Sequence, residues 1–124
     1  MDPCLMVIDD DIDIRETIQD LLEARGFHVT AFADGAGALD ALTHGARPKL
    51  ILLDLMMPGM SGEAFRAHQL ADPALAAIPV VVLSGARGVD EAARRLGVEA
   101  LPKPVELAQL LGTIGRYCAA GPAR

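Results

Sequence analysis

The chain has 124 residues, of which 52% are apolar and 23% are charged. This length is typical of one domain, and the aliphatic content can fill a core, so the chain is not a disordered or low-complexity segment. The net charge of −6 and the aromatic content of 3% argue against direct binding to nucleic acids and anionic membranes, because those ligands select basic surfaces and stacking rings.

The start of the chain and its apolar runs indicate the compartment. A secretory signal needs a basic start and an apolar stretch, and the acidic run 9–11 interrupts that stretch. Asp54 and Pro79 break the apolar runs before they reach the length of a membrane span. These features predict a cytoplasmic protein. Cys4 and Cys118 lie near opposite ends of the sequence without a CxxC motif, so we expect both to stay reduced.

Short aliphatic runs alternate along the chain with longer segments of helical spacing. Continuously apolar runs are typical of strands that are covered on both faces. The predicted strands are, in chain order, Cys4–Ile8, His28–Ala33, Leu50–Leu53, Val80–Leu83 and Ala100–Leu101. Apolar positions three or four apart mark the helices between and after them. The predicted helices extend over 14–22, 38–42, 64–70, 89–96 and 107–117, and the first four stop near Gly26, Gly45, Pro73 and Gly97.

Five strands that alternate with five helices predict an α/β fold of the (βα)5 type, with a doubly wound parallel sheet. Parallel neighbours need right-handed crossovers, which place helices on both faces of the sheet. In such sheets ligands bind at the carboxyl ends of the strands. The residues that follow each strand are therefore the candidates for function.

Polar side chains end four of the five predicted strands. Asp9 and Asp10 follow the first strand, and Asp54 follows the third. Ser84 ends the fourth, and the fifth leads into Lys103. Because parallel strands end at one edge of the sheet, these side chains are predicted to converge, and three carboxylates repel one another unless a cation lies among them. Ligands that are all oxygen favour Mg²⁺, with Mn²⁺ as a substitute.

The same cluster indicates phosphoryl chemistry. A carboxylate such as that of Asp54 can attack phosphorus and form an acyl phosphate. The Lys103 ammonium suits the oxygens of a phosphoryl group, and the Ser84 hydroxyl can donate a hydrogen bond to that group. Any one of these residues alone is more often a cap, turn or surface residue, as we expect for Asp11 and Asp13 at the start of the first helix. Their joint placement at the strand ends favours a functional site.

Four segments together match one family over essentially the whole chain: VIDDD at 7–11, LLDLMMPGMSG at 52–62, PVVVLSG at 79–85 and LPKP at 101–104. They resemble a response regulator receiver domain of bacterial two-component signalling. The resemblance implies a CheY-like, flavodoxin-like five-stranded sheet with strand order 2-1-3-4-5. It also implies one receiver domain over 1–124, with its core at about 4–118 and a frayed tail at 119–124.

The resemblance implies that Asp54 is a phosphoacceptor. It would take a phosphoryl group from a phosphohistidine of a sensor histidine kinase or a histidine phosphotransfer domain. The implied ligands of Mg²⁺ are Asp9, Asp10, Asp54 and the backbone carbonyl of Met56. Ser84 resembles the switch hydroxyl that moves to the phosphoryl group, and Lys103 resembles the lysine that pairs with it. Such a protein catalyses only its own phosphorylation and dephosphorylation, so we do not expect an enzyme.

The resemblance also implies two contact surfaces. Candidates for contact with the phosphodonor are Ile12, Ile14, Arg15 and Pro104. The output surface would consist of the fourth helix, the fifth strand and the fifth helix, with Arg87, Arg94 and Arg95 giving it a basic character. Ala100 departs from the family pattern, which often has Tyr or Phe at this position, and this leaves the route of transmission open. We expect a monomer or a phosphorylation-dependent dimer, either stand-alone or part of a larger regulator or hybrid kinase.

Three alternatives share parts of this pattern. A pseudo-receiver would use the same fold as a docking module that is not phosphorylated. A haloacid-dehalogenase-type phosphatase also forms an aspartyl phosphate with Mg²⁺, but it needs an acid two residues after the nucleophile, where this chain has Met56. A flavodoxin-like electron carrier would need a phosphate-binding loop after the first strand, and the acidic run 9–11 would repel the flavin phosphate.

Overall fold

The computed structural model describes residues 4–55, 57–85, 89–103 and 105–118. Within these residues five strands alternate with five helices. The strands are β1 (Leu5–Ile8), β2 (Val29–Phe32), β3 (Leu50–Asp54), β4 (Val80–Ser84) and β5 (Glu99–Pro102). The helices are α1 (Ile12–Glu23), α2 (Gly35–Thr43), α3 (Gly62–Ala71), α4 (Val89–Leu96) and α5 (Leu107–Gly115). Among the described residues, no helix has the length and hydropathy needed to cross a bilayer.

The strands form one parallel sheet in the order β2-β1-β3-β4-β5, which confirms the predicted α/β architecture and strand order. Ile8 pairs with Leu53, so Asp9 and Asp54 follow in register at the ends of neighbouring strands. On the other side, Ser84 pairs with Pro102, which immediately precedes Lys103. The register therefore brings four strand ends to one edge of the sheet.

Alternate residues of the central strands supply two separate cores. One face of the sheet packs against α1 and α5, and its buried side chains include Leu5, Val7, Leu50, Leu52, Val81, Leu83, Ile18, Leu22, Leu110 and Ile114. The other face packs against α2 and α3, and its buried side chains include Met6, Ile8, Ile51, Leu53, Val80, Ala38, Leu42 and Phe65. Both faces of β1 and β3 are thus covered, which explains why these strands have no alternation of apolar and polar residues.

Within the described residues, three helices begin with a side-chain cap. Asp11 accepts hydrogen bonds from the backbone N–H groups of Asp13 (2.9 Å) and Ile14 (3.3 Å) at the start of α1. This confirms that Asp11 and Asp13 serve the helix start. Asp34 caps α2 and Ser61 caps α3 in the same manner. These caps stabilise helices that begin just after the strand ends and so hold the edge of the sheet in place.

The prediction that Cys4 and Cys118 stay reduced and unpaired is wrong for this structure. Cys4 immediately precedes β1, Cys118 lies three residues beyond α5, and their Cα atoms are 6.1 Å apart. A disulfide joins the two residues across a sequence separation of 114. The long separation hid the pair, because only the packing of α5 over the start of β1 brings the two together.

Gly62 allows α3 to begin directly against the end of β3. A Cβ atom at this position would lie 2.7 Å from the carbonyl oxygen of Asp54 and 2.7 Å from Leu55 Cα. Both are backbone atoms that cannot move aside as a side chain could. The Gly62 N–H also donates to the Leu55 carbonyl oxygen at 3.1 Å. The segment that follows Asp54 therefore depends on a residue without a side chain.

Gly62→Ala is expected to lower the free energy of unfolding by about 1–3 kcal/mol, because the added methyl overlaps two backbone atoms. Gly112→Ala is the matched control, since a Cβ there meets nothing within 4 Å in the interior of α5. The control should stabilise the protein by up to about 1 kcal/mol through higher helix propensity. Urea unfolding of both variants measures these changes. Equal stability of Gly62→Ala and the native protein would contradict the packing argument.

Candidate functional site

Four of the five predicted site side chains come together at the carboxyl edge of the sheet. One carboxylate oxygen each of Asp9, Asp10 and Asp54 lies within 4.8 Å of the others. Lys103 Nζ lies 2.8 Å from Asp9 Oδ2 and 3.5 Å from Asp54 Oδ2. The backbone of Ser84 ends β4 at the same edge, whereas its side chain is outside what the structure describes. The predicted convergence is therefore observed for the acidic residues and the lysine.

Asp9 is fully buried and is held from several sides. Its Oδ1 accepts a hydrogen bond from the Asp11 N–H at 2.9 Å. Its backbone carbonyl accepts one from Arg15 Nη1 at 2.8 Å, and its N–H donates to the Phe32 carbonyl at 3.1 Å. Arg15, which the sequence suggested for a partner surface, thus also fixes the backbone of the site. Nothing in the sequence pattern pointed to that role.

The three carboxylates differ in their exposure to solvent. Asp9 is 0% exposed and Asp54 is 3% exposed, whereas Asp10 is exposed. Within the described residues, Asp9 Oδ2 accepts no aligned hydrogen bond and has the Lys103 ammonium as its ion-pair partner. Three carboxylates facing one ammonium leave excess negative charge, which a divalent cation would offset. This oxygen-only donor set fits a hard ion such as Mg²⁺ or Mn²⁺.

Lys103 keeps its charge in this setting. Burial alone lowers the pKa of the Lys103 ammonium, but its contact with Asp9 and the negative charges of Asp54 and Asp9 outweigh that effect. The net result is a pKa above the ordinary value of 10.5. The side chain is 18% exposed, and its ammonium contacts two buried carboxylates.

An apolar groove of about 470 Å³ lies beside the acidic cluster, between α1 and α5. Its lining includes Ile14, Leu21, Val105 and Leu110, and Lys103 connects it to the site. Sequence reasoning missed this groove because the same apolar positions also predict ordinary helix packing. Of the predicted phosphodonor contacts, Ile12 is 56% exposed, Ile14 is half-buried against the core, and Pro104 is outside the described residues.

The remaining predicted residues are less fully determined. The Met56 carbonyl and Arg87 lie outside the described residues. Arg95 is exposed but forms an ion pair with Glu63 of α3 at 3.1 Å, so a neighbouring carboxylate offsets its charge at the predicted basic surface. Ala100 is half-buried beside a small apolar cluster on the α4 side of the sheet, formed by Leu55 and Val82 with Leu96 and Val98 around them.

Comparison with known proteins agrees with this geometry. Residues 5–115 match the response regulator receiver domain. The chain is 32% identical to the polar-differentiation response regulator DivK of Brucella anthropi over 120 residues, which cover 94% of this chain and 97% of DivK. It is 36% identical to the transcriptional regulatory protein PrrA of Mycobacterium tuberculosis over 118 residues, which cover 90% of this chain. The chain spans about half of PrrA, with 48% of its length covered.

Solved structures show the same fold. A response regulator receiver protein from Pseudomonas putida superposes with a TM-score of 0.84 at 31% identity, over 94% of this chain and 98% of that one. The Mn²⁺-bound form of the response regulator Rcp1 superposes with a TM-score of 0.73 at 28% identity, over 90% of this chain and 88% of that one. The fold, the acidic edge and these similarities lead to one assignment: the chain belongs to the response regulator receiver family of two-component signalling proteins, with a CheY-like fold.

Proposed function

We propose that the chain is a phosphoacceptor that takes a phosphoryl group from a phosphohistidine onto Asp54 and thereby changes its surface to control a partner. The observation that carries this proposal is the nearly buried Asp54 carboxylate, which shares the edge of the sheet with Asp9, Asp10 and Lys103. Signalling rather than metabolic catalysis is the role of receiver domains. We assign one receiver domain to 1–124 on the same basis.

The transfer step requires one bond to form and one to break. An Asp54 carboxylate oxygen attacks phosphorus, the P–N bond to the donor histidine breaks, and its electron pair stays on the imidazole. Lys103 would pair with a phosphoryl oxygen, and its ammonium 3.5 Å from Asp54 Oδ2 supports this role. The Ser84 hydroxyl would approach the same group from the end of β4. Burial of Asp9 and Asp54 keeps these charges in a medium where they interact more strongly than in water.

Mg²⁺ is the proposed cofactor, with Mn²⁺ as a substitute. Asp9, Asp10, Asp54 and the Met56 carbonyl would hold the ion, which supplies positive charge to the oxygens of the transferring group. Support comes from the oxygen-only cluster of this chain and from the Mn²⁺-bound form of its structural relative Rcp1. The protein itself would orient the Asp54 carboxylate and hold the Lys103 ammonium beside it.

The partner that donates the phosphoryl group would be a sensor histidine kinase or a histidine phosphotransfer domain. Receiver domains of response regulators act with histidine kinases, and two features here support an approach over α1. Ile12 is 56% exposed next to the acidic edge, and the apolar groove between α1 and α5 opens beside Lys103. The net charge of −6 supports a protein partner rather than nucleic acid or membrane as the direct ligand, and a cytoplasmic location is proposed with it.

The output surface would be formed by α4, β5 and α5, with the protein a monomer or a phosphorylation-dependent dimer. The described residues Arg94 and Arg95 lie in the last turn of α4, and both are exposed. The Arg95–Glu63 ion pair links this helix to α3, which begins against the end of β3.

Acyl-phosphate formation is the direct test. Incubation of the native protein with acetyl phosphate and Mg²⁺ should add one phosphoryl group, about 80 Da, in the intact mass. Asp54→Asn should add none, because an amide cannot serve as the nucleophile, and the exposed Asp20→Asn on α1 should react like the native protein. Absence of any mass gain despite Mg²⁺ binding would instead support a docking module that is not phosphorylated.

Mg²⁺ should stabilise the folded protein. At about ten times the dissociation constant, the increase in unfolding free energy is expected to be about 1.4 kcal/mol. Asp10→Asn should lose most of this increment, and without metal it should be at least as stable as the native protein because one repelling charge is gone. Asp11→Asn is the control with the same charge change one residue away, since Asn also caps helices. Loss of the increment in Asp11→Asn but not in Asp10→Asn would contradict the proposed ligand set.

Lys103→Met tests the counter-charge. In metal-free buffer near pH 8, the free energy of unfolding of the variant should be about 1–3 kcal/mol lower than that of the native protein, because two buried carboxylates lose their cation. The raised pKa of Lys103 means that its contribution is complete below 10.5 and is lost as the pH rises above that value. The difference between native and variant should therefore shrink in urea unfolding near pH 11.5. Lys49→Met, at an exposed position, is the control and should show a small difference at both pH values.

A further inference from the structure

The end of the sheet opposite the acidic cluster carries a pair of cysteines with no part in the proposed phosphotransfer. Cys4 precedes β1, and two hydrogen bonds fix its backbone. Its N–H donates to the His28 carbonyl at 3.0 Å, and its carbonyl accepts from the Lys49 N–H at 2.8 Å. Cys118 follows α5 and is held by its N–H bond to the Ile114 carbonyl (2.8 Å). The Cα separation of 6.1 Å lies within the range of about 4.4–6.8 Å in which disulfides form.

We propose that Cys4 and Cys118 form a reversible thiol–disulfide site that takes low-molecular-weight disulfides, such as oxidised glutathione, as its oxidant and thereby locks the end of α5 to the start of β1. Each redox state gives the buried Cys118 sulfur a partner. In the disulfide the two sulfurs are joined. In the dithiol, the Cys118 thiol is placed to donate to the Cys4 carbonyl oxygen, which lies 3.2 Å from its Sγ, so the buried S–H has a partner.

The two cysteines differ in accessibility, and this sets the order of steps. Cys4 is half-buried, whereas Cys118 is only 1% exposed. The Cys4 thiolate attacks oxidised glutathione, breaks its S–S bond and expels one glutathione thiolate. The Cys118 thiolate then attacks Cys4 Sγ in the mixed disulfide and expels the second. Two protein thiols are oxidised, one small disulfide is reduced to two thiols, and the two protons pass to the departing thiolates.

The link constrains the fold without touching the phosphoryl site. Asp9 follows Cys4 by five residues of extended chain, a distance of about 17 Å along the strand. The disulfide closes a loop across a sequence separation of 114, and long loops lose much of their unfolded-state entropy when they are cross-linked. Cys118 also lies in the same core cluster as Leu110 and Ile114 of α5. Oxidation should therefore stabilise α5 on the sheet and leave the acidic edge unchanged.

Equilibration in glutathione buffers of graded oxidation, followed by quenching with N-ethylmaleimide and intact mass measurement, tests the site. The native protein should pass from two alkylated cysteines to none, with the unalkylated form about 2 Da lighter than the dithiol. Return to a reducing buffer should restore both alkylation sites. Stable addition of glutathione to the native protein, a disulfide between two chains, or persistence of the dithiol in oxidised glutathione would each overturn the proposal.

Single variants test the order of attack. Cys118→Ser should retain glutathione on Cys4 as a mixed disulfide, because no second thiol can expel it. Cys4→Ser should react at least tenfold more slowly, since Cys118 is 1% exposed. Equal rates in the two variants would contradict the assignment of Cys4 as the attacking residue.

Two further readouts test whether the disulfide stabilises the fold and whether it leaves the acidic edge unchanged. The melting temperature of the oxidised native protein should exceed that of the reduced protein by about 10 °C, whereas Cys4→Ser should show no shift. Acetyl phosphate labelling of Asp54 should proceed equally in both redox states. An unchanged melting temperature would refute the lock, and a loss of labelling on oxidation would refute the separation of the two ends. Neither result depends on whether a kinase partner exists.

Discussion

The ion pairs of Lys103 with Asp9 and Asp54 are the interaction on which the acidic edge depends. Asp9 is completely buried and Asp54 almost so, and buried carboxylates without a cation are costly. The ammonium at 2.8 Å from Asp9 and 3.5 Å from Asp54 offsets that cost. One ammonium cannot balance three carboxylates, however. The acidic edge therefore carries excess negative charge that a divalent cation can offset. An added phosphoryl group would increase that negative charge.

The parallel sheet makes this arrangement possible. Ile8 and Leu53 are paired, so the first polar residue after β1 lies beside the last residue of β3. Gly62 then lets α3 begin against the backbone of Asp54 and Leu55, which limits how the chain can leave β3. The cap of α1 by Asp11 and the bond from Arg15 to the Asp9 carbonyl fix the other strand end. Strand pairing and the neighbouring helix starts thus hold Asp9 and Asp54 side by side at the edge of the sheet.

The sequence predicted the strands and the position of the acidic edge well where a long apolar run ends in a polar residue. The apolar runs located β1, β3 and β4, and the rule that ligands bind at strand ends predicted that Asp9, Asp10, Asp54 and Lys103 lie close together, as they do. Their roles in metal binding and phosphotransfer stay predictions. Sequence reasoning was less accurate for the edge strand β5, which extends over Glu99–Pro102 rather than the two predicted residues. The cysteine pair was out of its reach, because a separation of 114 residues gives no local signal and only three-dimensional packing joins the two ends. The groove was missed for a related reason, since an apolar position looks the same whether or not another helix covers it completely.

Helix α5 connects the two ends of the sheet. At its beginning, Lys103 and Val105 connect it to the acidic edge and the groove, and beyond its end Cys118 connects it to the start of β1. Ala100 cannot transmit a large ring movement, because its side chain is a single methyl group among Val82 and its neighbours. If Asp54 is phosphorylated as proposed, its change in charge would have to reach the proposed output surface through displacement of backbone and helices. The Lys103 end of α5 is the nearest route, because Lys103 contacts both Asp9 and Asp54. A cross-link that fixes the opposite end of the same helix would oppose such a displacement without altering the chemistry that starts it.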